Sequence, residues 1–300
     1  MRVAILGFGQ EGKAVLGFLK KNQPRVKPVI LDKKRDPKYL SKLKNFDVIY
    51  RSPGVPYNLP QIQKAIKNGV KFSSATDLFF EHAKGTIIGI TGTKGKSTTA
   101  TLIYKVLKSA GRDVYLGGNI GKPAIELLPK LKKNSITILE LSSFQLQDLK
   151  HSPKIAIILD VFPDHLDAHQ NLKEYLEAKS NIVKNQRRSD LVFYFSGNKQ
   201  SKSIALKSNG KKIAVAPDKN ITDLKIPGEH NRKNAAMVMA VANELKVPQK
   251  RVIQVLKKFS GLTHRLQLVK TIKGVKFYND SASTNPETTA AAIMSFPNLL

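Results

Sequence analysis

Residues 86–99, TIIGITGTKGKSTT, lead from an apolar run directly into a turn rich in glycine and lysine. The apolar run at 86–90 predicts a buried strand, and residues 99–108 predict a helix. Such a turn between a strand and a helix presents backbone N–H groups to phosphate, while Lys96 can reach the outer phosphates and the Ser97 hydroxyl can ligate Mg²⁺. The strict pattern has glycine where this chain has Ile90. The stretch therefore predicts a variant phosphate-binding loop.

The composition indicates a globular protein of two or three domains. The chain has 300 residues, of which 41% are hydrophobic and 24% charged, and it contains no cysteine. Disulfide bonds and thiolate metal sites are therefore excluded. The N-terminal residues lead straight into a strand and a glycine turn, without the apolar core and cleavage site of a signal peptide. No apolar run is long enough to span a bilayer, so we expect a cytoplasmic protein.

The formal net charge of +29 allows two interpretations. One is a protein that binds nucleic acid or a membrane surface. The other is a lysine-rich solvent surface without such a partner. The lysines are spread along the whole chain, and no basic motif interleaved with aromatic residues is present. This distribution favours the second interpretation, so we expect neither a nucleic-acid nor a membrane partner.

Residues 1–84 show the pattern of a Rossmann-like domain. Gly7, Gly9 and Gly12 follow a short apolar strand, and Asp32 ends the next strand, about twenty positions after the last glycine. This spacing is the fingerprint of dinucleotide binding, and by itself it suggests NAD and a dehydrogenase. Such a turn accommodates any nucleotide diphosphate, so the motif leaves the ligand open.

Residues 85–260 predict a second α/β domain with a parallel sheet. Glu140 lies near the end of the strand at 135–141, and His165 follows the strand at 154–160. Ligands of parallel α/β sheets bind at the carboxyl ends of the strands. We therefore expect Glu140 and His165 to ligate Mg²⁺ beside Ser97. Residues 261–300 predict a strand and a helix, which is the start of an incomplete third domain.

These stretches together resemble the Mur ligase family, and within it the branch that adds D-glutamate. The motifs occur in collinear order: GFGQEGKA, SPGVP, GITGTKGKSTT, GGNIG, ELSSFQL, PDHLDAH, EAKSNI, GEHNRKNAA, GLTHRLQ and NDSASTNPET. The resemblance implies an α/β fold with a Rossmann-like N-terminal domain, a central P-loop ATPase-like parallel-sheet domain and the start of a third α/β domain. The variant loop is the family's own form.

The resemblance implies an ATP-dependent amide ligase of peptidoglycan synthesis. Such an enzyme adds D-glutamate to UDP-N-acetylmuramoyl-L-alanine through an acyl phosphate, with ATP and Mg²⁺ as cofactors. We expect a monomer, and we expect most of the D-glutamate pocket to belong to the incomplete third domain. One alternative is a truncated remnant that binds ATP and the UDP-sugar without ligase activity. Another is a sister Mur ligase or a folylpolyglutamate-type ligase.

The resemblance also assigns roles to individual residues. The UDP-sugar would be held by residues of the first glycine turn and by three further polar side chains: Gly7, Phe8, Gly9, Gln10, Asp32, Asn119, Ser142 and Gln145. ATP would be held by the phosphate loop and by four distant residues: Gly92, Thr93, Lys94, Gly95, Lys96, Ser97, Thr98, Asn231, Asn234, Arg265 and Asp280. The catalytic set would be Lys96, Glu140, His165 and Lys179. Lys179 aligns with a lysine that is carbamylated in this family, and the carbamate would ligate Mg²⁺ together with Ser97, Glu140 and His165.

Three positions depart from the family pattern. The family usually has asparagine at Lys94 and at Asp160, and the D-glutamate-adding branch commonly has lysine at Ala282. The missing lysine would help to neutralise phosphate. We expect Lys94 to take over that charge.

Overall fold

The N-terminal unit is a four-stranded parallel sheet with helices on its faces. The computed structural model describes residues 1–217, 224–283 and 286–296. The elements of this unit are β1 (Val3–Leu6), α1 (Gln10–Asn22), β2 (Val29–Leu31), a 3₁₀ helix (Leu43–Asn45), β3 (Val48–Arg51), α2 (Pro60–Lys67), β4 (Lys71–Ser73) and α3 (Ala75–His82). The strand order is β2-β1-β3-β4. All four residues of β1 are buried, as expected for a strand that is covered on both faces.

The central unit is a six-stranded parallel sheet in the order β10-β9-β8-β5-β7-β6. Its strands are β5 (Thr86–Thr91), β6 (Val114–Gly118), β7 (Ile136–Glu140), β8 (Ile155–Ile158), β9 (Leu191–Phe195) and β10 (Lys211–Val215). Its helices are α4 (Lys96–Ser109), a 3₁₀ helix (Ala124–Lys130), α5 (Ser143–Leu146), α6 (Leu172–Lys184), α7 (Lys199–Ala205), α8 (Glu229–Glu244) and α9 (Gln249–Lys258).

Apolar side chains on both faces of the central sheet explain why helices cover it. One core cluster joins β5 and β8 to α4, α8 and α9, and a second joins the opposite face to α6 and α7. β8, with the sequence IAII, is buried at every position. A short continuous apolar strand of this kind is typical of a sheet that is covered on both faces.

The strand orders place a crevice at one edge of each sheet. In the central sheet β6 and β7 lie on one side of β5, β9 and β10 lie on the other side of β8, and β5 and β8 are neighbours. The corresponding pair in the first sheet is β1 and β3. Ligands of doubly wound sheets bind where the strand order reverses. The loops after β5 and β8 therefore face the same crevice.

The C-terminal part is an antiparallel hairpin followed by a helix. β11 (Gln267–Ile272) pairs with β12 (Val275–Asn279), and α10 (Pro286–Ile293) follows. The sequence predicted β12 and the helix but missed β11, because five of the six residues of β11 are exposed and show no burial pattern. Two residues of the NDSASTNPET motif, Thr284 and Asn285, lie outside the described residues.

Two helices of the central unit begin earlier than the sequence predicted. α4 begins at Lys96 instead of residue 99, and α8 begins at Glu229 instead of residue 233. In each case the last polar residues of the preceding loop already form the first helical turn. The predicted domain boundaries remain predictions. α3 ends at His82 and β5 begins at Thr86, on either side of the expected boundary at 84/85. Within the described residues, no helix combines the length and the apolar character needed to cross a bilayer.

Candidate functional site

The loop between β5 and α4 is held in place by the segment that follows β8. The Thr93 amide donates to the Asp160 carbonyl at 2.8 Å, and the Thr93 hydroxyl contacts the Phe162 carbonyl at 2.9 Å. Gly95 caps α4 with a φ of +82°. A Cβ at this position would lie 2.4 Å from Asn234 Oδ1, so any other residue would have to displace Asn234. Because Gly95 has no side chain to cap the helix, the N–H groups of its first turn can serve an anion.

Lys96 occupies the centre of the loop. Its Nζ donates to the carbonyls of Gly92 and Thr93 at 3.0 Å each. Burial lowers the pKa of Lys96, and the nearby carboxylates of Glu140 and Asp164 oppose this shift. The lysine thus lies between the loop backbone and two acidic side chains, where its ammonium group can contact a bound phosphate.

Glu140 is the acidic side chain best placed for a cation. It ends β7 and is 3% exposed. Its Oε1 accepts from Asn119 Nδ2 at 2.9 Å, whereas its Oε2 is buried and has no hydrogen-bond partner among the described residues. A buried carboxylate oxygen without a partner is costly unless a cation satisfies it. Together with the Ser97 hydroxyl, Glu140 fits a Mg²⁺ site, since Mg²⁺ prefers oxygen ligands.

His165 and Lys179, the other two predicted ligands, differ in burial. The His165 side chain is 52% exposed, and its Nε2 lies 3.5 Å from Asp164 Oδ2. Lys179 is 2% exposed and lies beneath the loop, where its Nζ donates to the Gly92 carbonyl at 3.0 Å. Burial, and then the charge of Lys96, hold the pKa of Lys179 well below its usual value. Within the described ranges, no group of three or more His, Asp or Glu side chains is arranged so that it could hold a metal ion by itself.

Tyr175 contacts both the loop and Lys179, and sequence reasoning missed it as a residue of the site. It is 1% exposed, and its hydroxyl lies 2.9 Å from Thr93 Oγ1. The Lys179 ammonium lies 4.6 Å from the centre of the Tyr175 ring. The i, i+4 spacing of Tyr175 and Lys179 on α6 is the signal that could have revealed the pair.

A cavity of about 530 Å³ joins the loop to residues that are distant in sequence. Its lining includes all the predicted ATP-binding residues except Gly92, together with three of the predicted catalytic residues: Thr93, Lys94, Gly95, Lys96, Ser97, Thr98, Glu140, His165, Asn231, Asn234, Arg265 and Asp280. Asn119 is the one predicted UDP-sugar residue in this lining. Sequence reasoning missed the acidic and basic residues Asp164, Glu229, His230 and Lys233, which also line it.

The distant side of the cavity is built by α8 and by the start of the C-terminal part. Asn231 Nδ2 donates to the Pro227 carbonyl at 2.6 Å, which fixes the side chain at the first turn of α8. Asp280 accepts from the Leu266 amide at 2.9 Å. The charge of Arg265 contributes to the lowered pKa of Lys96, as expected if both cations face the same space.

The three departures from the family pattern lie in the wall of this cavity. Lys94 and Ala282 both line it, and so does Asp160. The Asp160 carboxylate accepts from Lys233 Nζ at 3.3 Å, so its charge is paired. The placement of Lys94 agrees with its expected role, which stays a prediction.

The predicted UDP-sugar residues of the first sheet form a separate turn. Asp32 accepts from the Phe8 amide at 2.6 Å and from the Lys34 amide at 2.9 Å. These backbone hydrogen bonds lower the pKa of Asp32. Gly12 allows the close packing of this turn, because a Cβ there would lie 2.2 Å from the Gly7 carbonyl oxygen. Gly9 faces open space, and Gln10 begins α1.

Ser142 and Gln145 form a capping box at the start of α5. Gln145 is 3% exposed, and its Nε2 donates to Glu11 Oε1 of the first unit at 2.6 Å. Gln145 therefore hydrogen-bonds to a residue of the first unit, and its predicted contact with the substrate remains a prediction. Nearby, the buried Arg51 guanidinium pairs with Asp148 at 2.8 and 2.9 Å. The sequence analysis missed this pair, because its members are 97 residues apart.

Comparison with known proteins gives a consistent result. The Mur ligase middle domain family matches residues 90–220. UDP-N-acetylmuramoylalanine–D-glutamate ligase of Clostridium tetani is 34% identical, over 98% of this chain and 73% of that protein. The enzyme of the same name from Ruminiclostridium cellulolyticum is 35% identical, over 87% of this chain and 61% of its own length.

Solved structures agree on the fold. MurF from Acinetobacter baumannii matches with a TM-score of 0.62 and 17% identity, over 97% of this chain and 67% of that structure. A UDP-N-acetylmuramate:L-alanyl-γ-D-glutamyl-meso-diaminopimelate ligase from Neisseria meningitides matches with a TM-score of 0.59 and 18% identity, over 87% and 99%.

The matches to the two curated relatives cover 61% and 73% of the relatives' own length. Together with the phosphate loop, the two parallel sheets and the shared cavity, they establish the family. The chain belongs to the Mur ligase family.

Proposed function

We propose that the chain carries out the ATP-dependent ligation of D-glutamate to UDP-N-acetylmuramoyl-L-alanine in peptidoglycan synthesis, or forms the greater part of the enzyme that does. The observation that carries the proposal is the cavity that unites the loop of Lys96, the unpartnered Glu140 oxygen and the distant residues Asn231, Arg265 and Asp280. The names of the curated relatives supply the substrates.

The proposed division of labour follows the shape of the cavity. Asn231 and Asn234 hold the adenine, Asp280 holds the ribose, and Arg265 contacts the phosphates. Lys96 and the first-turn N–H groups of α4 neutralise the phosphate charge and align the γ-phosphate. Glu140 and Ser97 would hold Mg²⁺, which supplies charge neutralisation between the phosphate oxygens. His165, which lines the cavity beside Asp164, would be a further Mg²⁺ ligand.

The proposed reaction has two steps. The carboxylate of the sugar nucleotide attacks the γ-phosphorus, and ADP leaves with the electrons of the broken P–O bond. The neutral amine of D-glutamate then attacks the acyl carbon, the bond from this carbon to the phosphate oxygen breaks, and phosphate leaves as hydrogen phosphate with the proton that the nitrogen loses. The first step joins two anions, so it depends on the positive charge around Lys96. Because the reaction consumes ATP, we expect it to take place in the cytoplasm.

We further propose that Lys179 carries a carbamate. Only a neutral amine adds to CO₂, and the lowered pKa of this buried lysine supports that state. Carbon-13 NMR of the chain in labelled bicarbonate would show a carbamate resonance that is absent from Lys179→Ala. A spectrum without such a resonance in the wild-type chain would refute this assignment.

The test of the function is ADP release. With ATP, Mg²⁺, UDP-N-acetylmuramoyl-L-alanine and D-glutamate, we expect ADP to form only when the sugar nucleotide and Mg²⁺ are present. Lys96→Ala should abolish it. If the chain binds ATP but forms no ADP under any condition, it is a binding protein without ligase activity. A panel of other amino acids in place of D-glutamate tests the sister ligases.

A further inference from the structure

The segment that follows β8 brings Asp164 and His165 to the cavity without regular secondary structure. Of residues 162–170, all of which the structure describes, only His169 is buried, with 2% of its surface exposed. A segment without helix or strand takes its position from the side chains that it buries. The placement of His165 therefore depends on what His169 contacts.

Both nitrogens of the His169 ring have partners on neighbouring helices. Nδ1 lies 2.6 Å from Glu174 Oε2, in the first turn of α6, and Nε2 lies 2.9 Å from the hydroxyl of Ser143, the first residue of α5. A carboxylate only accepts hydrogen bonds, so the Nδ1 atom that contacts Glu174 carries a proton. Burial raises the pKa of Glu174, but hydrogen bonds from Gln147 and His169 outweigh it and leave that pKa below its usual value.

His169 is also connected to His165 through the backbone and through the ring of Phe144. The His169 amide donates to the His165 carbonyl at 2.9 Å. The Phe144 ring stacks on His169 at 5.1 Å and contacts the His165 ring at 5.2 Å. His165 itself has a φ of +53°, a left-handed conformation that its surroundings must hold.

We propose that His169, oriented by Glu174 and Ser143, is a positioning residue that fixes His165 and Asp164 at the metal and phosphate end of the cavity. This inference rests on the proposed function, which assigns a metal–nucleotide complex to that end. The order serine, histidine and glutamate resembles a hydrolase triad, but Ser143 is 2% exposed and does not line the cavity. The geometry therefore favours an anchor over a nucleophile.

The chain offers a matched control for the serine. Ser208 is also buried, at 4% exposure, and its hydroxyl donates to Gln186 Oε1 at 2.6 Å. It lies beside the start of β10, at the opposite edge of the central sheet from the cavity, because Lys211 begins that strand. Ser143→Ala and Ser208→Ala thus remove similar buried hydrogen bonds, and only the first touches His169.

The experiment measures binding of a non-hydrolysable ATP analogue by calorimetry, with Mn²⁺ and again with EDTA, and records the Mn²⁺ spectrum by electron paramagnetic resonance. In Ser143→Ala we expect Mn²⁺-dependent affinity to fall about 5-fold, the equivalent of one buried hydrogen bond. In His169→Leu we expect about a 10-fold loss, as is typical when a group that orients metal ligands is removed. Affinity in EDTA should stay within about 2-fold of wild type, and Ser208→Ala should match wild type in both conditions.

A purely structural role would lower affinity with and without metal alike, and this result would overturn the inference. Unchanged Mn²⁺ affinity and an unchanged spectrum in both Ser143→Ala and His169→Leu would overturn it as well. A wild-type chain that binds the nucleotide neither with Mn²⁺ nor without it would refute the proposed function itself. Circular dichroism confirms that each variant is folded.

Discussion

Replacing Gly95 with alanine tests the geometry of the phosphate loop through two separable costs. The φ of +82° at this position costs an alanine about 1 kcal/mol. The new Cβ would also lie 2.4 Å from Asn234 Oδ1, so Asn234 must move. Asn234 is 4% exposed and contacts Asn231 Oδ1 at 3.4 Å, and displacing a buried side chain adds about 1–3 kcal/mol. We expect Gly95→Ala to lower the free energy of unfolding by about 2–4 kcal/mol.

The matched control lies just past the other end of the same helix. Gly111 has a φ of +74°, but nothing lies within 4 Å of a Cβ built there. Gly111→Ala therefore carries the conformational cost without the clash, about 1 kcal/mol. Denaturant unfolding of both variants separates the two contributions.

Titration with ATP provides the functional half of this test. Gly95→Ala displaces both the loop and Asn234, so we expect ATP affinity to fall at least about 10-fold, or about 1.4 kcal/mol. Gly111→Ala should bind ATP like the wild-type chain. If the two variants lose the same stability and both keep full ATP affinity, the packing of Asn234 against the loop does not matter and the reasoning fails.

Three further predictions concern other parts of the molecule. Glu140→Gln keeps the shape and the Asn119 contact but removes the charge, so Mg²⁺-dependent ATP affinity should fall at least about 10-fold without a lower melting temperature; calorimetry with and without EDTA checks this, and equal loss in both would contradict it. Arg51→Met leaves Asp148 buried without its partner and should cost about 3–5 kcal/mol of unfolding free energy, whereas Arg51→Met/Asp148→Leu should recover much of it; a double variant no more stable than Arg51→Met argues against the pair. Lys184 and Lys207 lower the pKa of Glu177 from its usual 4.5 to about 2, so the stabilisation by these ion pairs is present above pH 4.5 and is lost as the pH falls toward 2. Glu177 is largely exposed, so the stability that it loses across this pH window should be less than about 1 kcal/mol. Glu177→Gln should therefore show a smaller slope of unfolding free energy against pH in the window. Equal slopes in the variant and the wild type would refute the assignment.

Local sequence patterns were sufficient for the elements that position the site. The apolar run before Lys96 predicted β5, and the glycine pattern after it predicted the loop, because a strand–loop–helix phosphate site is built from consecutive residues. The acidic end of β7 likewise pointed to Glu140. The N-terminal glycines predicted the first sheet in the same way.

Contacts between distant parts of the chain lay beyond such patterns. Asn234 meets Gly95 only because α8 packs beside α4, and no spacing in the sequence encodes this approach. The resemblance to the family, not periodicity, supplied Asn234. The sequence analysis did not single out His169, whose two partners lie on two different helices. Gln145 was assigned to the substrate, but its side-chain amide donates to Glu11 in α1 of the first unit, a residue 134 positions away.

Trapping with hydroxylamine would show whether this cavity transfers the γ-phosphoryl group of ATP to the carboxylate of a UDP-sugar. The reaction contains ATP, Mg²⁺ and UDP-N-acetylmuramoyl-L-alanine, and D-glutamate is left out. We expect one hydroxamate of the sugar nucleotide for each ADP formed, and none with Lys96→Ala. ADP formation without hydroxamate, or equal hydroxamate from Lys96→Ala, would contradict it.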